Sequence, residues 1–222
     1  MQKALKRRVL DGDPINIGLA SITMSEAELG AHLRGSRYDL VFADLQHTPH
    51  TESQIVTFCS AASKLGVLPL LRIQSPTLTC LISRILDFGA GGVVIPMAED
   101  TSSVMEAVRS FYYPPKGNRS WWPQYGHRYD ASIAVREYAD WWNDNGLLAV
   151  QIETVKGVMN ARDMVLAGAH VALFGATDLT FSIEATPDGP FRSVAECQRH
   201  VVEKTRGLDV RICVGDAPHG QF

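Results

Sequence analysis

The sequence predicts a parallel α/β fold, a TIM-type (β/α)8 barrel in which seven of the eight strand-helix units are present. Three observations carry this expectation. Apolar runs alternate with helix-like stretches along the whole chain, as in a series of βα units. The runs are apolar at nearly every position, which suits strands covered on both faces. A chain of 222 residues with 45% hydrophobic content is large enough for one barrel domain, taken as residues 1–222.

In chain order, strands are expected at residues 15–21, 39–44, 68–73, 92–97, 147–153, 171–175 and 210–214. Ser25 with Glu28, Thr51 with Gln54, and Ser193 with Glu196 have the S/T-x-x-E/Q spacing of a capping box and mark three helix starts. Gly66, Gly89, Gly168 and Gly207 stand where four helical stretches end, a place that asks for a left-handed residue. After Val214 only residues 215–222 remain, too few for a further helix, strand and helix, so the eighth unit is expected to be missing. The uncovered edges of the first and last strands then predict a homo-oligomer, with apolar residues near 15–21 and 210–214 at the contact.

Composition narrows the function. Net charge is −3 and the longest basic block is Lys6-Arg7-Arg8, so no electrostatic track for nucleic acid is present and a small-molecule partner is expected. No apolar run approaches the roughly 18 residues of a membrane span, and the first residues lack the apolar core of a signal peptide, so a cytoplasmic location is expected. Cys59, Cys80, Cys197 and Cys213 show no CxxC spacing and read as reduced, buried thiols.

Two acids stand out. Glu153 follows Leu147-Leu148-Ala149-Val150-Gln151-Ile152, and Asp178 follows Val171-Ala172-Leu173-Phe174-Gly175-Ala176-Thr177. They lie about 25 residues apart, the length of one strand-helix-strand unit, so both could reach one mouth of a barrel. Such a pair suits Mg²⁺, which keeps several waters and completes its shell with substrate. Asp44, His47 and Arg72 fall at other strand ends, on the face where barrel enzymes carry their chemistry. Each also has a plainer reading. Asp178 and Glu153 could be helix caps, Arg72 a surface ion-pair residue, His47 and His50 satisfied loop histidines, and Asp87 a solvated helix-end acid. Arg119 could be a structural loop residue, and Trp121-Trp122 and Trp141-Trp142 packing or subunit contacts.

Seven segments in register resemble one family. They are Asp44-Leu45-Gln46-His47, Leu70-Leu71-Arg72, Leu86-Asp87-Phe88-Gly89-Ala90, Val94-Ile95-Pro96-Met97, Tyr113-Pro114-Pro115-Lys116-Gly117-Asn118-Arg119, Val150-Gln151-Ile152-Glu153 and Phe174-Gly175-Ala176-Thr177-Asp178-Leu179. Together they resemble the HpcH/HpaI family of metal-dependent class II pyruvate aldolases. The resemblance implies a barrel of the phosphoenolpyruvate/pyruvate-binding type that cleaves a 4-hydroxy-2-oxo acid reversibly to pyruvate and an aldehyde, with oxaloacetate decarboxylation as a side activity. It implies Mg²⁺ or Mn²⁺, with Co²⁺ or Zn²⁺ as further options, held by Glu153 and Asp178. It implies that Gln151 contacts the substrate or the metal shell, and that Arg72 neutralises the enolate oxygen. The backbone at Gly175, Ala176 and Thr177 would cradle the pyruvate carboxylate. His47, oriented by Asp87 and helped by a water, would move the hydroxyl proton, with Asp44 in the surrounding network.

Two positions depart from the family pattern: Gln46 replaces an acid beside His47, and Gly-Ala-Thr-Asp replaces Gly-Pro-Ala-Asp. Other readings are a CoA-ester lyase of the citrate-lyase type, for which no basic patch is evident, and a Schiff-base aldolase, for which Lys156, Lys64 and Lys116 are poorly placed. A non-catalytic paralogue serving as an assembly subunit is the reading from a different class.

Overall fold

Each of the seven apolar runs becomes a strand. The computed structural model describes residues 3–34 and 37–214. The strands are β1 (Ile17–Leu19), β2 (Leu40–Asp44), β3 (Leu68–Arg72), β4 (Gly92–Ile95), β5 (Leu147–Ile152), β6 (Val171–Phe174) and β7 (Arg211–Ile212). They pair in sequence order, each parallel to the next. The result is a curled parallel sheet, consistent with a TIM-type barrel lacking a strand, and no pairing joins β1 to β7 among the described residues. Residues 215–222, on which the expectation of a missing eighth unit rested, lie outside the described residues.

The helices are α1 (Leu5–Leu10), α2 (Glu26–His32), α3 (Glu52–Lys64), α4 (Ile82–Asp87), α5 (Thr101–Phe111), α6 (Val135–Asn145), α7 (Val155–Leu166), α8 (Ala176–Glu184) and α9 (Val194–Lys204). Ser25 and Thr51 close full capping boxes with Glu28 and Gln54. Ser193 accepts from the Glu196 N–H, but the Glu196 carboxylate accepts instead from the Arg192 N–H, so this third box is only half formed. Gly66, Gly89, Gly168 and Gly207 all have positive φ, the conformation that glycine adopts without steric cost.

The period of two along a strand sorts side chains into two cores. Val41, Ala43, Leu71, Val93, Ile95, Leu148, Val150, Ile152, Ala172 and Phe174 face outward and pack under the helices. Leu40, Leu70, Val94, Leu147, Ala149, Val171 and Leu173 face inward and fill the barrel. Val9 of α1 belongs to this inner cluster and is 3% exposed, so α1 closes the N-terminal end of the barrel. The opposite end is left for chemistry.

One expectation is corrected in part. Cys59, Cys197 and Cys213 are buried free thiols, but Cys80 is exposed, because it falls in the 3-10 turn Pro76–Leu81 on the surface. The tryptophans divide as well. Trp142 is fully buried and donates from Nε1 to the Phe111 carbonyl (2.7 Å), and Trp121 packs against Tyr113, Tyr129 and Tyr138. Trp122 is 69% exposed.

Candidate active site

The inward rows turn polar as the strands end. On β2 the row reads Leu40, Phe42, Asp44; on β3 it reads Leu68, Leu70, Arg72; on β5 it reads Leu147, Ala149, Gln151 and then Glu153. Asp44 and Arg72 are register partners, so their side chains rise side by side. The Arg72 guanidinium grips the Asp44 carboxylate with two bonds, Nε to Oδ1 (2.9 Å) and Nη2 to Oδ2 (2.7 Å). Its third nitrogen, Nη1, donates to Gln151 Oε1 (3.2 Å). The chain of contacts continues from Gln151 Nε2 to Glu153 Oε1 (2.8 Å). A planar fork held at both ends fixes the cation in place, which a lysine could not match.

Glu153 is the most buried acid of this group, 2% exposed. Its other oxygen, Oε2, accepts the Met97 N–H (2.8 Å), and Met97 holds a positive φ of 46° that turns this N–H toward the site. Gly175 approaches so closely that a Cβ there would lie 2.0 Å from Glu153 Oε1. Burial pushes the Glu153 carboxyl up; the Met97 N–H opposes this, the Asp178 charge adds to it, and the Arg72 and His47 charges oppose it. Asp44 goes the other way. Burial raises it, but the Arg72 fork, the Gln46 N–H and the nearby charges of Arg72 and His47 outweigh that and hold the carboxyl below its usual value.

The structure therefore brings Asp44, Arg72, Gln151, Glu153 and Gly175 together through direct contacts, and His47 and Asp178 into their electrostatic range. Ala176, Thr177 and Asp178 form the first turn of α8, with Gly175 as its N-cap and no side chain capping it. His47 is exposed on the segment after β2. His50 is a satisfied loop histidine, bonded through Nδ1 to the Thr48 carbonyl (2.8 Å) and through Nε2 to Gln74 (3.1 Å).

Asp87 is not part of this group. It ends α4, just before β4 begins, and so stands on the N-terminal side of the sheet, away from the strand ends. There it pairs with Arg119 Nη2 (2.7 Å), whose buried guanidinium lies 4.7 Å from the ring centres of both Tyr113 and Trp142. Burial pushes the Asp87 carboxyl up and Arg119 draws it back in part. Nor do the three lysines weighed for a Schiff base enter the mouth: Lys64 pairs with Glu26, Lys116 with Asp144 and Lys156 with Glu99, all on the exterior.

Sequence reasoning missed two features. The Met97 N–H donor carries no side-chain signal and becomes visible only through the backbone turn after β4. The Asp87–Arg119 pair was hidden for another reason: its members lie 32 residues apart, one at the end of α4 and the other on a segment outside the regular elements. Glu153 and the exposed Asp178 act on each other electrostatically, while no group of three or more His, Cys, Asp or Glu suited to a metal is present among the described residues. Such a pair fits a hard cation that takes the rest of its shell from water and substrate. The fit is supported by the burial of Glu153 beside the Asp178 charge, a strain that a bound dication would relieve.

Comparison with known proteins bears on the family and the fold. The chain is 27% identical over 192 residues to 2-keto-3-deoxy-L-rhamnonate aldolase of Escherichia coli K12, covering 82% of this chain and 67% of that protein. It is 28% identical over 182 residues to 4-hydroxy-2-oxo-heptane-1,7-dioate aldolase of Shigella sonnei, covering 81% and 68%. With 2-dehydro-3,6-dideoxy-6-sulfogluconate aldolase of Pseudomonas putida it shares 27% over 168 residues, 75% of this chain and 64% of the relative. The chain thus spans about two thirds of the length of these relatives. Among solved structures, the HpcH/HpaI aldolase from Desulfitobacterium hafniense DCB-2 superposes with a TM-score of 0.82 at 24% identity, over 97% of this chain and 84% of that one, a likeness of fold. No helix among the described residues is long and apolar enough to cross a membrane. The model of the HpcH/HpaI aldolase/citrate lyase family matches residues 22–214, and the chain belongs to that family.

Proposed function

We propose that this protein is a divalent-metal-dependent aldolase that reversibly cleaves a 4-hydroxy-2-oxo acid to pyruvate and an aldehyde. The observation that carries the reading is the continuous contact from Asp44 through Arg72 and Gln151 to the buried Glu153, with the Asp178 charge acting on Glu153. Glu153 and Asp178 would hold the ion, Mg²⁺ or Mn²⁺ by their hard oxygens, with Co²⁺ or Zn²⁺ as substitutes. The ion, when bound, supplies a Lewis acid for the keto oxygen of pyruvate.

The chain's own groups supply the rest. Arg72 presents a fixed positive charge to the oxygen that becomes anionic when the methyl carbon of pyruvate loses its proton or its bond to the aldehyde carbon. Asp44 keeps that guanidinium aimed and Gln151 shares it between the anion site and Glu153. The free N–H groups of the first turn of α8, at Ala176 and Thr177, are suited to the pyruvate carboxylate. Gly175 leaves room for the Glu153 carboxylate to lie against that turn. His47, at the exposed rim, takes the hydroxyl proton of the cleaved alcohol through a water. Oxaloacetate decarboxylation passes through the same anion and is included as a side activity.

Asp87 enters this reading only through a second copy of the chain, since in its own protomer it faces Arg119 on the other side of the sheet. A homo-oligomer is therefore part of the proposal, and the exposed Trp122 (69%) and Tyr125 (55%) favour it. The test is cleavage of a panel of 4-hydroxy-2-oxo acids with Mg²⁺ or Mn²⁺ before and after chelation. Metal-restored turnover is expected; cleavage that survives chelation, or that persists in Glu153→Ala, overturns the reading.

A further inference from the structure

The inward rows of β1, β2 and β3 continue past the strand ends, and around and above Asp44 and Arg72 they carry uncharged hydrogen-bonding groups. After β1, Ala20, Ile22 and Met24 pack into the outer core, so the alternate residues Ser21 and Thr23 fall on the inner side. Their hydroxyl oxygens lie 2.8 Å apart, and Ser21 Oγ also accepts the Thr23 N–H (3.3 Å). Register sets their height. Leu19 pairs with Phe42 and the Ala20 N–H donates to the Phe42 carbonyl, so Ser21 stands level with Asp44.

The neighbouring strands repeat the pattern. Leu45 and Ile73 belong to the outer core, which leaves Gln46 and Gln74 as the next residues of the inward rows above Asp44 and Arg72. Gln74 Nε2 lies 3.1 Å from His50 Nε2. The Gln46 N–H donates to Asp44 Oδ1 (2.8 Å), which turns the chain over that carboxylate, and Gln46 Oε1 is buried with no donor among the described residues. A hydroxyl on a bound molecule would satisfy that acceptor.

These groups stand on the side of the mouth left for the aldehyde. In the aldolase reading Glu153, Asp178 and the first turn of α8 take the ion and pyruvate beside β5 and β6, and His47, which follows β2, meets the alcohol, so the rest of the aldehyde extends over the ends of β1, β2 and β3. Residues 20–25, 45–51 and 73–77 include no lysine or arginine. Arg72 is already held by Asp44 and Gln151. A carboxylate or phosphate on the aldehyde would therefore exchange its hydration for hydroxyls and amides, with no cation to pair with it.

We propose that the aldehyde half of the substrate is neutral and hydroxylated, and that Ser21, Thr23 and Gln46 set this preference. The inference rests on the aldolase reading and adds to it the class of aldehyde. The two hydroxyls each give and take a hydrogen bond and Gln46 Oε1 takes one, a set that suits a polyol chain better than an alkyl or an anionic one.

The experiment is condensation of pyruvate, in the presence of Mn²⁺, with glyceraldehyde, propanal, glyceraldehyde 3-phosphate and 4-oxobutanoate, compared by kcat/KM. Pyruvate methyl-proton exchange, which needs no aldehyde, is followed in parallel. Glyceraldehyde is expected to exceed each of the other aldehydes by about tenfold or more. Its lead over propanal should shrink by about fivefold in Ser21→Ala and in Gln46→Leu, and Thr23→Lys should raise 4-oxobutanoate relative to glyceraldehyde by about tenfold. Ratios are taken within one preparation, so a change in the folded fraction cancels. An anionic aldehyde used as well as glyceraldehyde, no lead over propanal, or ratios unmoved in every variant would each overturn the proposal, while persistent proton exchange would leave the aldolase reading standing. Absence of exchange in the parent protein would overturn both.

Discussion

Replacing Gly175 by alanine tests the site at its tightest point. The backbone there is extended (φ −96°, ψ 94°), which alanine adopts freely, so the effect is steric alone. The new methyl would meet Glu153 Oε1 at 2.0 Å, Cγ at 2.7 Å and Cδ at 2.8 Å, while real Cβ atoms essentially never come within 3.0 Å. The carboxylate must therefore move by about 1 Å or more. It cannot do so and keep both the Met97 N–H and the Gln151 amide, each at 2.8 Å. Loss of one hydrogen bond to a charged group costs about 1.5–3 kcal/mol, and a misplacement of this size at a reacting centre costs on the order of 10²-fold in rate. Urea unfolding, Mn²⁺ titration by calorimetry and the aldol cleavage assay should all register the change. Gly66→Ala is the control: its Cβ meets nothing within 4 Å and only its φ of +75° is strained, so about 1 kcal/mol of stability should be lost with activity intact. If Gly175→Ala bound Mn²⁺ and turned over within twofold of the parent, the placement of Glu153 against α8 would be refuted.

Three further outcomes are expected. Glu153→Ala and Asp178→Ala should each abolish Mn²⁺ binding in calorimetry while far-ultraviolet circular dichroism is retained, since neither side chain belongs to either apolar core. Arg72→Ala should lose on the order of 10² or more in pyruvate methyl-proton exchange, oxaloacetate decarboxylation and aldol cleavage alike. His47→Ala should mainly harm aldol cleavage, and equal loss of all three activities in both variants would refute separate roles. The raised Glu153 carboxyl makes a signed prediction about pH. An acid with a higher pKa folded than unfolded destabilises as pH rises from about 4.5 through the folded value, so metal-free Glu153→Gln should have a higher urea midpoint than the parent at pH 7 and an equal one below about pH 4. A lower midpoint at pH 7 would show that Glu153 is stabilising and not held at a cost for function.

The fold was legible because each strand is a run in which period two serves two apolar environments at once, so the runs stayed apolar until the barrel's open end. There the inward row alone changes character. Leu40-Phe42-Asp44 and Leu147-Ala149-Gln151-Glu153 show the change within a single strand, and the outward residues Ala43, Val150 and Ile152 do not share it. A polar residue in an inward row at the end of a strand has only the barrel mouth to face, which is why the acids and Arg72 could be placed from the sequence.

Nothing similar marks residues that lie outside the inward strand rows. Met97 contributes an N–H that any residue type could offer, and only its φ of 46° aims it at Glu153. Val9 looks like one more apolar residue in a short basic helix, yet it plugs the barrel floor. Asp87 shows the limit most clearly. Its place in a matching motif linked it to His47, but α4 runs against the strands, and a residue at the end of such a helix must emerge on the opposite side of the sheet from His47. Strand direction thus decides what a motif cannot: any contact between Asp87 and His47 has to be made between two copies of the chain, and the Arg119 guanidinium, stacked between Tyr113 and Trp142, holds the Asp87 carboxylate in place.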